Sequence, residues 1–417
     1  MKIKSLVTAS LLALVTGSAF AADLGVVYIT GSSAYRAATN SSIQALFKPA
    51  TLQVGSVGAL SGATYAIFKG ELLGVAGDTV TICTDFTGSA AGVQAIVQTT
   101  TDGLTGNPAN IPAVKYIDPA TSLAAAPSTT TALSTPTYTH ASGVALSDVN
   151  YYLTKFTRPT DDVPNEAGSS PVGVVQFFWV KNNGASSSIT NITNQAVKGL
   201  AAGGLPLSFF SGATTGPDLT TQVRIVGRNA DSGTRLTAYE EGGYGALSVA
   251  VQYAPSGANQ GTNGSGQSAG SGDITSLSLW QAETILGLPF AVGESGFASG
   301  GTLASVMTRT SSAGPIVTHL SKGDAKTAIL GGATLLSYNG VLPEDPSTAT
   351  TFPSITSGKY SFWSYEHLYY NNQTTGTGTV AELLATEMAK TAQASLSGIA
   401  IGDMMVSRGG EGQVVTP

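Results

Sequence analysis

Cysteine is nearly absent from this chain. The single Cys83 allows no internal disulfide and leaves no cysteine cluster for zinc or iron-sulfur chemistry, so stability has to come from apolar packing. Charge is scarce as well: 11% of the residues are Asp, Glu, Lys or Arg, and the formal net charge is -6. That balance excludes nucleic acid as a partner, because neutralising a phosphate backbone takes a dense basic face. A single small anion asks for less: a local set of N–H groups, hydroxyls and one Arg. Histidine is limited to His140, His319 and His367, and none stands beside a motif that would pair it with a nucleophile. Each is read as structural, and no enzyme, cofactor or metal centre is expected.

Long hydrophobic runs are also missing. Lys2 and Lys4 open a basic start, Leu6 to Val15 is a short apolar run, and Ala19-Phe20-Ala21 is a small-x-small cleavage site. We read residues 1–22 as a signal peptide, cut before Ala22 or Asp23. The run is shorter than the roughly 20 residues that span a bilayer, and no later segment supplies one. With no Cys at the cleavage site, the expectation is a periplasmic or secreted protein without a lipid anchor and without membrane insertion.

What is abundant is small and polar. Glycine numbers 51, Ser and Thr are frequent, yet 42% of the chain is hydrophobic, a composition of globular cores joined by long polar loops. Single cores stop growing near roughly 250–300 residues, so two domains are expected.

One local pattern recurs. Leu24 to Thr30 is a β-prone run, Gly31-Ser32-Ser33 breaks it, and Arg36 to Phe47 carries Ile43, Leu46 and Phe47 on helical spacing. The pattern returns at Val80 to Thr84, Gly88-Ser89 and Val93, Ile96, Val97, and again at Val223 to Val226, Asp231-Ser232-Gly233 and Leu236 to Glu241. Each junction puts Ser or Thr with Gly at a helix start, where N-capping and free backbone N–H groups coincide. Val172 to Val180 reads as a strand buried on both faces, and Tyr360 to Tyr370 as an aromatic strand followed by an amphipathic helix from Val380 to Leu396. Alternating strands and helices predict parallel-type α/β lobes that bind ligand beyond the strand ends. Ala50 to Gly77, Thr99 to Thr139 and Ser256 to Gly272 show little periodicity. The last contains Gly266-Gln-Ser-Ala-Gly270, a formal match to a hydrolase nucleophile turn, but the preceding tract is polar and flexible rather than a buried strand, so it reads as a loop.

Four segments belong together: Thr30-Gly-Ser-Ser-Ala-Tyr35, Thr87-Gly-Ser-Ala-Ala-Gly-Val93, Gly143-Val-Ala-Leu-Ser-Asp148 and Gly227-Arg-Asn-Ala-Asp-Ser-Gly-Thr-Arg235. Singly, each is an ordinary strand end or cap. In this order they resemble the phosphate-binding proteins of ABC importers, in the type II periplasmic-binding-protein superfamily. The family's Gly-Ser-Ser-Gly-Gly-Val corresponds to Gly88-Ser-Ala-Ala-Gly-Val93, its Ala-Ser-Asp to Ala145-Leu-Ser-Asp148, and its Arg-x-x-x-Ser-Gly-Thr to Arg228-Asn-Ala-Asp-Ser-Gly-Thr234.

The resemblance implies an α/β fold of two lobes joined by two crossover strands, with the ligand cleft between them. Lobe 1 would be 23–170 plus 359–417, and lobe 2 would be 171–358. It implies phosphate ligands at Ser33, Ala34, Tyr35, Ser89, Asp148, Arg228, Ser232, Gly233 and Thr234. Arg228 would bring a planar charged fork. Ser89, Ser232 and Thr234 would bring hydroxyls, and Gly233 would allow close backbone approach. Asp148, taken as ionised, would accept a proton-bearing oxygen and so favour phosphate over sulfate. Partners would be the phosphate ion and an ABC importer membrane complex, with the protein a monomer. The departures are Ala34-Tyr35 in place of Thr-Phe, Ala90-Ala91 in place of Ser-Gly, and Arg36 and Arg235, read as solvated helix residues. A secreted or surface protein that keeps the fold for another oxyanion, for sensing or for adhesion is the alternative.

Overall fold

The computed structural model describes residues 23–74, 78–97, 114–124, 130–155, 165–166, 170–262, 266–371 and 376–417. The export segment and part of the Thr99 to Thr139 stretch lie outside the described residues.

The strands that position the site are β1 (Asp23–Gly31), β2 (Gln53–Ser56), β3 (Tyr65–Glu71), β4 (Thr79–Asp85), β5 (Val144–Ser147), β6 (Gly173–Lys181), β7 (Gln222–Ile225), β8 (Ile316–Ser321) and β9 (Trp363–Tyr370). The helices that matter are α1 (Arg36–Ala45), α2 (Ser89–Val97), α3 (Gly233–Glu241), α4 (Gly300–Met307), α5 (Lys322–Leu330), α6 (Thr377–Met388) and α7 (Thr391–Ala394). The nine strands lie in the order β7-β8-β6-β9-β5-β1-β4-β3-β2, and a two-residue strand extends each end.

Two strands cross between the halves of this α/β sheet. The start of β6, Gly173 to Gln176, pairs with Trp363 to Glu366 of β9, and its end, Phe177 to Lys181, pairs with β8. The start of β9 is therefore taken by β6, and its end, His367 to Tyr370, pairs with β5. One half is built on β5-β1-β4-β3-β2 and the other on β7-β8, with β6 and β9 as the crossovers. All nine residues of β6 are buried, as its unbroken apolar run predicts.

The lobes are less parallel than the alternation of strands and helices predicts. β1 runs parallel to β4 and β5, and β7 parallel to β8, but β2, β3, β6 and β9 pair antiparallel. Crossing back between the halves turns β6 against β8. β2 and β3 form a hairpin inside the weak stretch Ala50 to Gly77. The aromatic strand starts at Trp363, because Tyr360 still belongs to the preceding turn, its N–H bonded to Ser354 O at 2.8 Å. The helix after it ends at Met388: Lys390 turns extended (φ -68°, ψ 137°), and α7 restarts beyond.

Candidate functional site between the halves

The four motif segments converge where the two halves meet. Gly31 ends β1, and its carbonyl accepts from Gly88 N–H at 2.9 Å, so the turn before α2 sits on the end of β1. A Cβ on Gly92 would come within 2.6 Å of Gly31 Cα, so the small residue is what lets α2 lie this close to β1. Asp148 follows β5 directly. From the other half, Ser232 caps α3 by accepting from Arg235 N–H, and Gly233 and Thr234 form its first turn.

Asp148 is the hub. Its Oδ1 accepts from Ser89 Oγ and its Oδ2 from Thr234 Oγ1 at 3.3 Å, one partner from each half. Its main-chain carbonyl accepts from Thr237 Oγ1 at 3.2 Å and from Ser364 Oγ on the crossover strand at 2.7 Å. Ala90 N–H reaches across to Asp231 O at 3.1 Å. A carboxylate has lone pairs to spare after two such bonds, so Asp148 can still accept from a ligand.

Arg228 is buried and donates through Nε to Phe297 O at 3.0 Å and through Nη2 to Ala298 O at 2.6 Å. Burial pulls its pKa down, while Asp324, Asp231 and Asp148 hold the charge in place. The acids answer in kind. Burial raises Asp148, against the pull of Ser89, Arg228 and Thr234. It pushes Asp231 up to about 6 and raises Asp324, each opposed first by Arg228. Glu366, with Ser32 Oγ donating to its Oε2 at 3.1 Å, is raised well above the carboxylate range by burial and by the Asp148 charge. The arrangement thus sets the Arg228 guanidinium among three acidic side chains, Asp148, Asp231 and Asp324, with the Ser89 and Thr234 hydroxyls beside the first of them.

The other proposed ligands divide. Ser33 and Ala34 line a cleft of about 710 Å³ between the halves, together with Arg36, Thr87, Ser299 and Asp324. Tyr35 turns away. Its ring is fully buried against Gly173 and Gly398, which leaves only its backbone to offer a ligand. Arg36 is partly buried on the cleft wall and donates to Thr64 Oγ1 at 3.1 Å. Arg235 is not the solvated residue the sequence suggests. It is buried, donates to Arg228 O at 3.1 Å and Glu294 O at 2.8 Å, and stacks over Tyr239, so it braces the Arg228 segment from behind.

Several contributors escape sequence reading. Asp324 sits in the first turn of α5, where an acid normally signals only a favourable helix start. Gln267, inside the Gly/Ser tract, accepts at Oε1 from Ala298 N–H at 2.8 Å and donates through Nε2 to Gly296 O, so it holds the loop whose carbonyls receive Arg228. The tract is itself tied down: Arg309 donates to the carbonyls of Ser256, Ala269, Ser271 and Gly272. Ser268 forms a bridge with Asn259 rather than standing on a strand-to-helix turn, in keeping with the loop reading. His319 is buried between Trp179 and Tyr239 and lowered to about 3, chiefly by burial. Among the described residues no group of three or more His, Cys, Asp or Glu stands where it could hold a metal ion, and no helix is long and apolar enough to cross a membrane.

No family model matches this chain, and no curated protein does. Among solved structures, PstS from Borrelia burgdorferi is similar at 14% identity and a TM-score of 0.37, over 90% of this chain and 98% of that one. A likeness that distant transfers no residue's role.

Proposed function

We propose that this chain is an exported solute-binding protein that captures inorganic phosphate, as HPO4 or H2PO4, between its halves and delivers it to an ABC-type importer. In this reading the lobes are 23–170 with 359–417, and 171–358, and phosphate draws them together by contacts that exist only when they are closed. The ligands are Ser89, Asp148, Arg228, Ser232, Gly233 and Thr234, with Ser33, Ala34 and the backbone of Tyr35 approaching from the first turn.

The observation that supports this best is Asp148, which takes a hydroxyl from each half while Arg228 lies within its electrostatic reach. A phosphate that bears a proton donates to Asp148 and accepts from Arg228, and it accepts from Ser89 and Thr234 once their single hydroxyl protons turn from Asp148 to the ligand. Sulfate, unprotonated near neutral pH, sets an oxygen lone pair against the same carboxylate when it is ionised. Isothermal titration calorimetry of ligand-stripped protein with phosphate, sulfate and arsenate tests the reading. Phosphate and arsenate should bind, since both are tetrahedral and protonated, and sulfate should not. No phosphate binding would sink the proposal, and equal binding of sulfate would remove the role given to Asp148.

A further inference from the structure

The buried cluster around Asp148 and the open cleft beside it differ in size and in chemistry. In the cluster the halves already touch: a Cβ on Gly233 would stand 1.7 Å from Asp148 Oδ1. The cleft is about 710 Å³, within the roughly 300–1,000 Å³ range of sites that enclose whole organic ligands. A bare tetrahedral oxyanion fills a small part of it.

The charged side chains on its wall are Arg36, Lys322, Lys326 and Asp324, three cations against one carboxyl, and this in a chain whose net charge is negative. The surplus is two positive charges when all are ionised. Both halves contribute, Arg36 from α1 and the lysines from α5, and Lys322 Nζ reaches across the mouth to Ser395 O at 3.3 Å. Between the cations the wall is largely hydroxyl, as at Ser299 and Thr348, and among the described residues Phe86 is the only aromatic one on it. Behind the Gly300 wall a Cβ would meet Asp324 Oδ2 at 1.9 Å and Arg228 Nη1 at 3.3 Å, so that carboxyl stands between the cleft and the buried Arg228.

We infer that the cleft takes a phosphate monoester of a small polyol or sugar, with its phosphoryl group toward Arg36 and the α5 lysines and its hydroxyls along the Ser and Thr wall. A monoester carries close to two negative charges at pH 7, which matches the surplus on the wall. Its hydroxyls both donate and accept, as do those of Ser and Thr, and the near absence of aromatic surface disfavours a ligand with an apolar body. The inference rests on the oxyanion reading above and makes an ester of that anion, rather than the bare ion, the preferred ligand.

The test is calorimetry of ligand-stripped protein with inorganic phosphate, glycerol 3-phosphate and glucose 6-phosphate, repeated on Arg36→Gln and on Lys326→Gln. The second variant changes an exposed side chain, so it reports even if the first fails to fold. An ester should bind at least about 10-fold more tightly than inorganic phosphate, and each substitution should weaken the ester by about 3- to 10-fold while moving inorganic phosphate less. If inorganic phosphate binds as tightly as both esters, or the substitutions move all three ligands alike, the inference falls and the phosphate reading stands. If neither phosphate nor ester binds, the oxyanion reading falls with it.

Discussion

Gly233 and Asp148 meet across the two halves with no side chain between them; a methyl group on Gly233 would lie 1.7 Å from Asp148 Oδ1 and 2.8 Å from Ser89 Oγ. The halves can close on this cluster only because position 233 has no Cβ. Its φ is not positive, so what matters here is the space and not the backbone conformation.

Gly233→Ala should therefore hold the halves apart or push Asp148 aside. Overpacking of this kind costs about 1–3 kcal/mol, so urea denaturation should show a loss in that range. Phosphate affinity should fall by about 5- to 150-fold, the same energy spent against closure. Unchanged affinity by calorimetry would show that closure does not need this contact.

Asp148→Asn keeps the shape of the hub and removes its charge. Phosphate binding should weaken by about 10-fold and sulfate binding should become measurable, so the preference between them collapses. Acid should do the same to the native protein. Burial raises the Asp148 pKa, so lowering the pH from 8 toward 5 moves it toward the neutral form, which can donate to sulfate. Competition titrations at the two pH values should find the phosphate preference narrower in acid, and a preference that widens would contradict the assignment.

Stability should depend on pH in a defined direction. Asp85 is pushed up to about 8 and Asp231 up to about 6, both chiefly by burial, so the folded state binds protons that the unfolded state gives up. Their contribution is fully present below the unfolded carboxylate pKa and is lost as pH rises through about 6 and then about 8. Buried His319, lowered to about 3, works the other way: its contribution is present above about 6.5 and is lost as pH falls toward about 3. The ligand-free protein should thus melt higher at pH 6.5 than at pH 9. Asp85→Asn should flatten the curve between pH 7 and 9, and a melting temperature that climbs toward pH 9 in the native protein would refute it.

Gln267→Ala should weaken phosphate binding by about 3- to 10-fold, because the Gly296 to Ala298 loop then loses its support and the Arg228 guanidinium its fixed acceptors. Ser268→Ala, one residue on, should leave binding unchanged. Equal effects of the two substitutions in calorimetry would mean that the tract acts only through its overall stability.

Several elements were legible from local pattern. Leu24 to Thr30, Val80 to Thr84 and Val172 to Val180 are strands in the structure because apolar, β-prone runs can bury both faces, and Ser or Gly after them starts a helix or a turn. The β2–β3 hairpin was not legible, since Gln53-Val-Gly-Ser56 carries too few apolar residues to announce a strand without its partners. The helix from Val380 has an apolar face that persists past Met388, while the chain turns at Lys390 to pack α7 beside α1.

The sequence by itself determined which groups are available: the strand-to-helix junctions, an Arg four residues before a Ser-Gly-Thr cap, and an Asp at a strand end. Those follow from residue type and short-range spacing, which the chain carries locally. Only the tertiary structure decided that Ser89 and Thr234 share Asp148, that Tyr35 turns into the core while Arg36 faces the cleft, and that Asp324 and Gln267 serve the Arg228 segment. These contacts join residues far apart in the chain through the β6 and β9 crossovers. The direction in which a side chain points there is set by what packs behind it, and no local pattern encodes that.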